Sequence, residues 1–115
     1  MDIPAEETTL FVYGSLRDAA HRAEIIGRPV AAMAAVIHDY ERGRAGHFYL
    51  RRRPGLVTDG DLLLGLTAQD FATLDRYEDL PRLYTRDKVG VIAADGSRVR
   101  CWVYLPTPYT LGGGK

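Results

Sequence analysis

The chain has 115 residues, 46% of them apolar, which is enough for one domain with a hydrophobic core and argues against disorder. Fifteen Lys and Arg residues balance fifteen Asp and Glu residues, so the net charge indicates neither nucleic acid nor a membrane surface as a partner. Arg51-Arg52-Arg53 is the one basic run, and three adjacent arginines are more typical of a solvated strand end or loop than of a phosphate site.

The sequence also indicates the cellular compartment of the protein. No apolar segment is long enough to span a bilayer, and the N-terminal residues Met1-Asp2-Ile3-Pro4 do not form a signal peptide. The single cysteine, Cys101, excludes an internal disulfide and fits a reducing compartment. Because Cys101 lies in an alternating strand pattern, we expect a buried packing thiol rather than a nucleophile. We therefore expect a cytoplasmic protein.

The first predicted strand runs from Thr9 to Tyr13 and ends at Gly14, where the backbone can take conformations closed to other residues. Ser15 follows, and a predicted helix then runs from Arg17 to Ile26. A strand that feeds a helix through such a turn leaves backbone N–H groups pointing outward, and these suit a carboxylate or another anion. The Gly-Ser pair by itself favours an ordinary tight turn without a ligand.

Turn-forming and polar residues divide the next part of the chain. Gly27 and Pro29 end the predicted helix. The pattern then predicts a strand at Val30–His38, a loop at Glu41–Gly46, two strands at His47–Arg52 and Gly60–Leu66, and a Pro/Gly turn at Arg53–Asp59 between them.

The clearest helix begins at Thr67, whose hydroxyl can cap the first turn. Phe71, Leu74 and Glu78 are spaced three and four residues apart, so they share the core face of this helix. A carboxylate on a buried face is uncommon and costs free energy unless it has a partner. Alternatively, Glu78 lies in a frayed last turn and reaches solvent, because Leu80-Pro81 ends the helix at once. The pattern leaves both interpretations open.

The last part of the domain reads as a hairpin. We predict a strand at Thr85–Ala93, a two-residue turn at Asp95-Gly96 and a return strand at Arg98–Leu105. The return strand alternates, with Val99, Cys101, Val103 and Leu105 on one face and Arg98, Arg100, Trp102 and Tyr104 on the other.

These elements amount to five or six strands of mixed direction and two helices. They predict an α+β fold or a small barrel with helices packed on it. We expect a single domain at residues 9–108, preceded by a loose lead-in at residues 1–8. Residues 109–115, which end in a Gly-rich segment, are expected to form a flexible tail.

Three segments resemble one known family. Val12-Tyr13-Gly14-Ser15-Leu16-Arg17 resembles the YG[ST]L loop near the N-terminus of γ-glutamylcyclotransferase-like (AIG2-like) proteins. Leu74-Asp75-Arg76-Tyr77-Glu78 with Tyr84-Thr85-Arg86 is similar to the family's LDxYE…YxR segment, and Val99–Tyr104 is similar to its closing strand with a Trp-x-Tyr pattern. The match covers most of the chain in the right order. The resemblance implies a compact mixed β-barrel flanked by helices.

The resemblance also implies a reaction and a set of site residues. In this family the α-amine of a γ-glutamyl group attacks its own γ-carbonyl, which gives 5-oxoproline and releases an amine or amino acid. The substrate supplies its own nucleophile, so the implied reaction uses no metal and no cofactor. The implied general acid/base is Glu78. The implied substrate-binding residues are Tyr13, Gly14, Ser15 and Leu16 in the loop, with Tyr84 and Tyr104 lining the pocket.

The central third of the chain, residues 30–53, departs from the family pattern. Gly46-His47-Phe48-Tyr49 stands where the family often has a Gly-x-Tyr-Pro-like stretch. Because that region shapes the leaving-group side, the released amine is left open. His21, His38 and His47 are scattered, do not form a Cys/His metal-ligand set, and are interpreted as structural or surface residues.

Three functional classes fit these observations. The first is an enzyme that cyclises a small γ-glutamyl amine or peptide. The second is a binding module that holds a glutamyl-like or other small anionic ligand in the same pocket without turnover. The third is a structural domain with a vestigial pocket, since a fold does not fix a function. Glu78 weighs against the second, because a binder of anions gains nothing from a buried carboxylate.

Overall fold

Five strands close into a barrel in the computed structural model, which describes residues 4–112 apart from the side chain of Ala45. Around the barrel the strands follow the order β1-β3-β2-β4-β5, with β1 parallel to β5 and all other neighbours antiparallel. The strands are β1 (Leu10–Val12), β2 (Ala32–Ala45), β3 (His47–Leu63), β4 (Tyr84–Ala93) and β5 (Arg98–Pro106). The predicted α+β class and mixed barrel are confirmed.

Two hydrophobic clusters hold the barrel and its helices together. One fills the barrel interior and includes Phe11, Leu50 and Val103, each at most 1% exposed. The other lies between the barrel wall and the helices and includes Leu10 and Leu74, both fully buried. Since neighbouring residues of β1 enter different clusters, β1 is buried on both faces, which explains its continuous apolar run.

The long β2–β3 hairpin differs from the predicted pattern. Glu41–Gly46 was predicted as a loop and Arg53–Asp59 as a turn, yet both predictions are wrong, because β2 continues to Ala45 and β3 is one strand. The ladder pairs His38 with Val57 and Tyr40 with Arg52, so the Pro-Gly segment of β3 forms a bulge rather than a chain reversal. The side chain of Asp39, φ +67°, accepts a hydrogen bond from the Gly55 N–H across this bulge.

The segment predicted as a helix at Arg17–Ile26 is interrupted at Asp18. A 3-10 turn covers Ser15–Arg17, and helix α1 covers Ala19–Ile26. The interruption arises because the Asp18 carboxylate caps α1 by accepting a hydrogen bond from the His21 N–H at 2.9 Å. Helix α1 ends as predicted at Gly27, which adopts a left-handed conformation with φ +94°.

Helix α2, Ala68–Tyr77, begins where the sequence predicts. The Thr67 hydroxyl accepts a hydrogen bond from the Asp70 N–H, and the Asp70 carboxylate accepts one from the Thr67 N–H, which forms a capping box. Helix α3, Pro108–Leu111, is a single turn after β5 and occupies part of the segment expected to be a tail. None of the helices in residues 4–112 is both long enough and apolar enough to cross a membrane.

The loop of the β4–β5 hairpin is one residue longer than predicted. Ala93 pairs with Ser97 through a 2.9 Å hydrogen bond, so three residues form the loop instead of the two predicted at Asp95-Gly96. The longer loop places Gly96 in the left-handed region at φ +87°, a conformation that glycine favours. Cys101 on β5 is fully buried, and burial raises the pKa of its thiol to about 12, so the predicted packing role is confirmed.

The segment before β1 lies against the barrel. A 3-10 turn covers Glu6–Thr8, and the Lys88 ammonium pairs with Glu6 at 2.7 Å and with Glu7 at 2.5 Å. The remaining residues of the expected lead-in and tail, 1–3 and 113–115, lie outside the described residues.

Candidate active site

A cavity of about 240 Å³ opens at one end of the barrel, between the end of β1, the tip of the β2–β3 hairpin and the end of α2. All seven residues that the sequence singled out line its wall. These are Tyr13, Gly14, Ser15, Leu16, Glu78, Tyr84 and Tyr104. The cavity therefore brings together residues from four separate parts of the chain.

The backbone at the end of α2 fixes the position of Glu78. Glu78 is the first residue beyond the helix, and its N–H still donates to the Leu74 carbonyl at 2.8 Å. The next two N–H groups fold back, from Asp79 to Arg76 and from Leu80 to Asp75, in the pattern of a Schellman motif. The Glu78 side chain thereby continues the buried face of Leu74 and does not fray into solvent.

The Glu78 carboxyl is largely withdrawn from water. Burial raises its pKa from the ordinary 4.5 to about 7, because removal from water disfavours the charged form. A carboxyl that titrates near neutrality can both accept and donate a proton at physiological pH. Glu78 thus has the protonation behaviour of a general acid/base.

Burial of Glu78 should make stability depend on pH. The folded chain retains a proton on Glu78 between pH 4.5 and about 7, whereas the unfolded chain loses it. The free energy of unfolding should therefore fall as pH rises through this window, by at most about 3 kcal/mol from this group. We expect Glu78→Gln to match the wild type near pH 4 and to be more stable near pH 8, measured by urea unfolding.

Glu24→Gln is the control, because Glu24 is exposed on α1. This variant should follow the wild type at both pH values. The burial of the charge would be contradicted if the free energies of unfolding of the wild type and Glu78→Gln differed by the same amount at both pH values.

The turn after β1 presents two backbone donors. The Arg17 N–H donates to the Gly14 carbonyl at 3.0 Å, which leaves the N–H groups of Ser15 and Leu16 without a partner inside this 3-10 turn. Within residues 4–112, neither group donates to another protein acceptor. Because Ser15 and Leu16 both line the cavity, these donors are available to an anionic or carbonyl oxygen.

Gly14 lets this turn lie against the hairpin tip. A Cβ atom on residue 14 would lie 3.2 Å from the Phe48 Cβ and 3.3 Å from its ring. We expect Gly14→Val to displace Phe48 or the turn and to weaken the binding of 5-oxoproline, the product that the family resemblance implies, by roughly tenfold, since overpacking costs about 1–3 kcal/mol. Isothermal titration calorimetry measures this affinity.

Gly90→Val on β4 is the matched control for Gly14→Val, because a Cβ at residue 90 meets no atom within 4 Å. Its affinity should equal that of the wild type. Unchanged affinity in Gly14→Val would remove the turn from the binding site.

Three tyrosines form the inner wall, and each hydroxyl donates to a protein acceptor. Tyr13 donates to the Tyr104 carbonyl at 2.6 Å, Tyr104 donates to the Asp75 carboxylate at 2.7 Å, and Tyr84 donates to the Phe48 carbonyl. Burial raises the pKa of all three, to about 12 for Tyr84, so they stay neutral. Toward a ligand, the oxygens of Tyr84 and Tyr104 can therefore act only as acceptors.

Sequence reasoning missed the role of Asp75, which lies one turn before Glu78. The Arg86 guanidinium donates to both Asp75 oxygens, at 3.0 and 3.2 Å, while Tyr104 donates to one of them. Arg86 in turn stacks on Trp102, with its guanidinium carbon 4.4 Å from the ring centre. Asp75 and Arg86 both occur in the family-like segments, so their shared motif was the available signal.

The hairpin tip and the end of α2 contribute further residues to the cavity wall; the family resemblance connected the hairpin tip with the site, whereas Tyr77 was not identified from the sequence. His47 and Phe48 line the cavity, and so does Tyr77 at its mouth. The Tyr77 hydroxyl lies 2.8 Å from His21 Nε2 and 3.4 Å from Ser15 Oγ, which connects α1, α2 and the turn. No periodic pattern in the sequence marks these contacts, because they join distant segments.

The polar groups that line this site suit a small polar organic ligand. Within residues 4–112, no three His, Cys, Asp or Glu side chains group as metal ligands would, and Glu78 is the one carboxylate on the cavity wall. The cavity offers N–H donors on one side and carboxylate and phenol acceptors on the other. This arrangement complements a molecule that carries both a carbonyl or carboxylate and an amine.

Sequence comparisons identify relatives of this chain. A sequence model of the family described as gamma-glutamyl cyclotransferase, AIG2-like, matches residues 10–114. A protein of Methanocaldococcus jannaschii, whose name combines gamma-glutamylcyclotransferase with a candidate RNase, is 29% identical over 99 residues. That alignment covers 84% of this chain and 45% of the relative, so the chain spans less than half of the relative's length.

Solved structures share the fold at lower identity. A protein of Arabidopsis thaliana superposes with a TM-score of 0.78 at 22% identity, covering 88% of this chain and 69% of that one. A structure described as gamma-glutamyl cyclotransferase gives 0.77 at 18% identity, with 87% and 66% covered. A mouse AIG2-like protein gives 0.61 at 21% identity, with 93% and 84% covered. These likenesses establish the shared barrel fold.

Proposed function

The chain belongs to the gamma-glutamyl cyclotransferase, AIG2-like family, and we propose that it cyclises a small γ-glutamyl compound to 5-oxoproline and releases an amine. The observation that carries this proposal is the position of Glu78. Its carboxyl titrates near pH 7 and lines the same cavity as the N–H groups of Ser15 and Leu16. An acid/base and an oxyanion site in one cavity are what an intramolecular aminolysis needs.

The reaction begins with orientation and a proton transfer. The cavity holds the γ-glutamyl group folded, so that its α-amine and γ-carbonyl carbon meet; such orientation can lower a barrier by roughly 7–11 kcal/mol. The Glu78 carboxylate takes a proton from the α-ammonium, which leaves a neutral amine as the nucleophile. A Glu with an unperturbed pKa of about 4.3 would be a weak base for this step.

Bond formation and cleavage complete the cycle. The amine nitrogen attacks the γ-carbonyl carbon, and the N–H groups of Ser15 and Leu16 stabilise the oxyanion that forms. Collapse of this intermediate breaks the bond to the departing nitrogen, which takes the proton held by Glu78. The attacking nitrogen still carries one proton more than the lactam keeps, and the restored Glu78 carboxylate accepts this proton and passes it to the departing amine. The products are 5-oxoproline and the amine in its ammonium form, and the carboxylate is restored without water, metal or cofactor entering the balance.

The alternative function is a binding module that holds a glutamyl-like or anionic ligand in the same cavity. The raised pKa of Glu78 argues against it, because a carboxylate that loses its proton near pH 7 would repel an anion above that pH. A binder would be served by the N–H donors alone.

The direct test is product formation. Purified protein is incubated with γ-glutamyl-glycine, and 5-oxoproline and glycine are quantified by mass spectrometry against a control without protein. We expect the two products in equal amounts and well above the spontaneous rate. Saturable binding of the compound without either product would favour the binding module.

A further inference from the structure

Arg22 on α1 carries a buried charge that the proposed cyclisation has not used. It is 8% exposed, and among the Lys and Arg residues that the structure describes it alone is buried. Ile25 and Ile26 lie three and four residues further on, so they share a face of α1 with Arg22, and both pack against the hydrophobic cluster between the barrel wall and the helices. An apolar side chain would be the ordinary choice at such a position, since burial of a charge costs free energy.

No carboxylate compensates this charge. In the part of the chain that the structure describes, Arg22 forms no ion pair, and its Nε has no hydrogen-bond partner. The guanidinium donates to two backbone carbonyls, from Nη1 to Arg17 at 3.0 Å and from Nη2 to Val30 at 3.4 Å. The buried Asp70, by contrast, pairs with Arg28. The buried cation is therefore directed at the backbone, and most closely at the carbonyl of Arg17.

The Arg17 carbonyl begins a short chain of hydrogen bonds that ends at the candidate oxyanion site. Its peptide unit also contains the Asp18 N–H, which donates to the Ser15 carbonyl at 3.2 Å. The Ser15 carbonyl in turn shares a peptide unit with the Leu16 N–H. Because the carbonyl and the N–H of a trans peptide point in opposite directions, the Leu16 N–H is directed away from Asp18. Leu16 lines the cavity, so the chain leads from the buried guanidinium to a donor at the site.

This chain of hydrogen bonds can transmit both orientation and charge. The Arg17–Asp18 peptide is held at its carbonyl by Arg22 and at its N–H by Ser15, which restricts rotation of the turn after β1. Hydrogen bonds in a chain also polarise one another, by about 10–30% per bond. A cation at the start of the chain draws electron density toward itself, and the N–H at the far end becomes a stronger donor.

We propose that Arg22 is a positioning residue, which orients and polarises the Leu16 N–H toward the oxyanion that forms during cyclisation. This inference rests on the proposed function, because that function places the oxyanion at the turn after β1. Arg22 lies outside the cavity wall, so it acts through two peptide units and not by contact with the substrate. The role accounts for a buried cation that has backbone carbonyls but no carboxylate as partners.

The first test is Arg22→Met, which removes the charge and the donors but keeps a long side chain. Removal of one oxyanion donor lowers kcat by about 10²–10³-fold, so we expect the weakening of one donor to lower kcat for γ-glutamyl-glycine by roughly tenfold. Affinity for 5-oxoproline, measured by calorimetry, should stay within about twofold, because charge on the oxygen develops only in the transition state. A parallel loss of kcat and affinity would assign Arg22 to the shape of the cavity and overturn the inference.

Arg28→Met is the matched control, because Arg28 is the next arginine along the chain and pairs with Asp70. It should keep the wild-type kcat. Arg22→Lys restores a charged donor and should recover part of the kcat that Arg22→Met loses. Arg22→Gln carries an N–H donor without a charge and covers the case in which Arg22→Met does not fold. It should show the same separation of kcat from affinity, and a wild-type kcat in this variant would overturn the inference.

The NMR resonance of the Asp18 amide proton separates this inference from the proposed function, because it reports the hydrogen-bond chain without turnover. It should move upfield in Arg22→Met and Arg22→Gln, since a weaker hydrogen bond to Ser15 leaves the proton more shielded, and it should not move in Arg28→Met. This result supports the inference even if the wild type releases no 5-oxoproline, which would overturn the proposed function alone. An unmoved resonance and an unchanged kcat in the Arg22 variants, with a wild type that turns over, would overturn the inference alone.

Discussion

Glu78→Gln should lower the turnover of a γ-glutamyl substrate by roughly 10²–10⁴-fold, the range that general acid/base catalysis supplies. The Gln amide has nearly the same size as the carboxyl, so the cavity keeps its shape. The amide cannot, however, take the proton from the α-ammonium. Because a largely buried charge is removed, the loss of activity should come without loss of stability. Steady-state release of 5-oxoproline measures the effect.

The pH dependence of the wild-type rate should also follow the titration of Glu78. We expect kcat/KM to rise with pH through the pKa of about 7, because the carboxyl must be deprotonated to act as a base. Glu24→Gln should reproduce both the rate and the pH profile of the wild type. Normal turnover by Glu78→Gln would show that Glu78 is not the acid/base.

Acetylation of the substrate's α-amine should abolish turnover completely. An acetylated nitrogen is not nucleophilic, so the γ-carbonyl loses its only attacking group in an intramolecular aminolysis. We expect α-N-acetyl-γ-glutamyl-glycine to release glycine no faster than a control without protein, under conditions where the unblocked compound turns over. Release of glycine from the blocked compound would indicate that water or a protein group is the nucleophile.

Local signals were sufficient to predict the helix that carries Glu78. Thr67 and Asp70 form the capping box that starts α2, and the spacing of Leu74 and Glu78 places the carboxyl on the buried face. The capping box lies within one helical turn, so the sequence alone specifies the start of the helix. The spacing made a buried Glu78 one of two interpretations, and the hydrogen bonds that end α2 decide for it. The turn after β1 is also marked locally, by Gly14 at the break between strand and helix.

Features that depend on the pairing of strands far apart in the sequence could not be predicted from the sequence. The segment at Pro54-Gly55 carries a strong turn signal, and only its pairing with β2 at Asp39 turns it into a bulge within one strand. Propensity describes each segment alone, whereas strand pairing depends on its partner. The predicted boundaries therefore failed in the central hairpin, whose tip contributes His47 and Phe48 to the cavity wall.

The site shows the same difference between features set by local sequence and features set by contacts between distant segments. Glu78 and the loop were accessible through local motifs, whereas Asp75 and Tyr104 are 29 residues apart and meet only in the folded barrel. The place of Phe48 on the cavity wall depends on the register of β2 against β3. The proposed acid/base was thus identifiable from a local motif, while the side chains that surround it required the structure.

The fate of oxygen during turnover tests the central claim most directly. The reaction is run with γ-glutamyl-glycine in water enriched in ¹⁸O, and the products are examined by mass spectrometry. Cyclisation by the substrate's own amine predicts unlabelled 5-oxoproline and equimolar glycine, since no water oxygen enters either product. Glutamate with ¹⁸O in its γ-carboxyl group as the main product would contradict the cyclotransferase account, even if Glu78 proved essential.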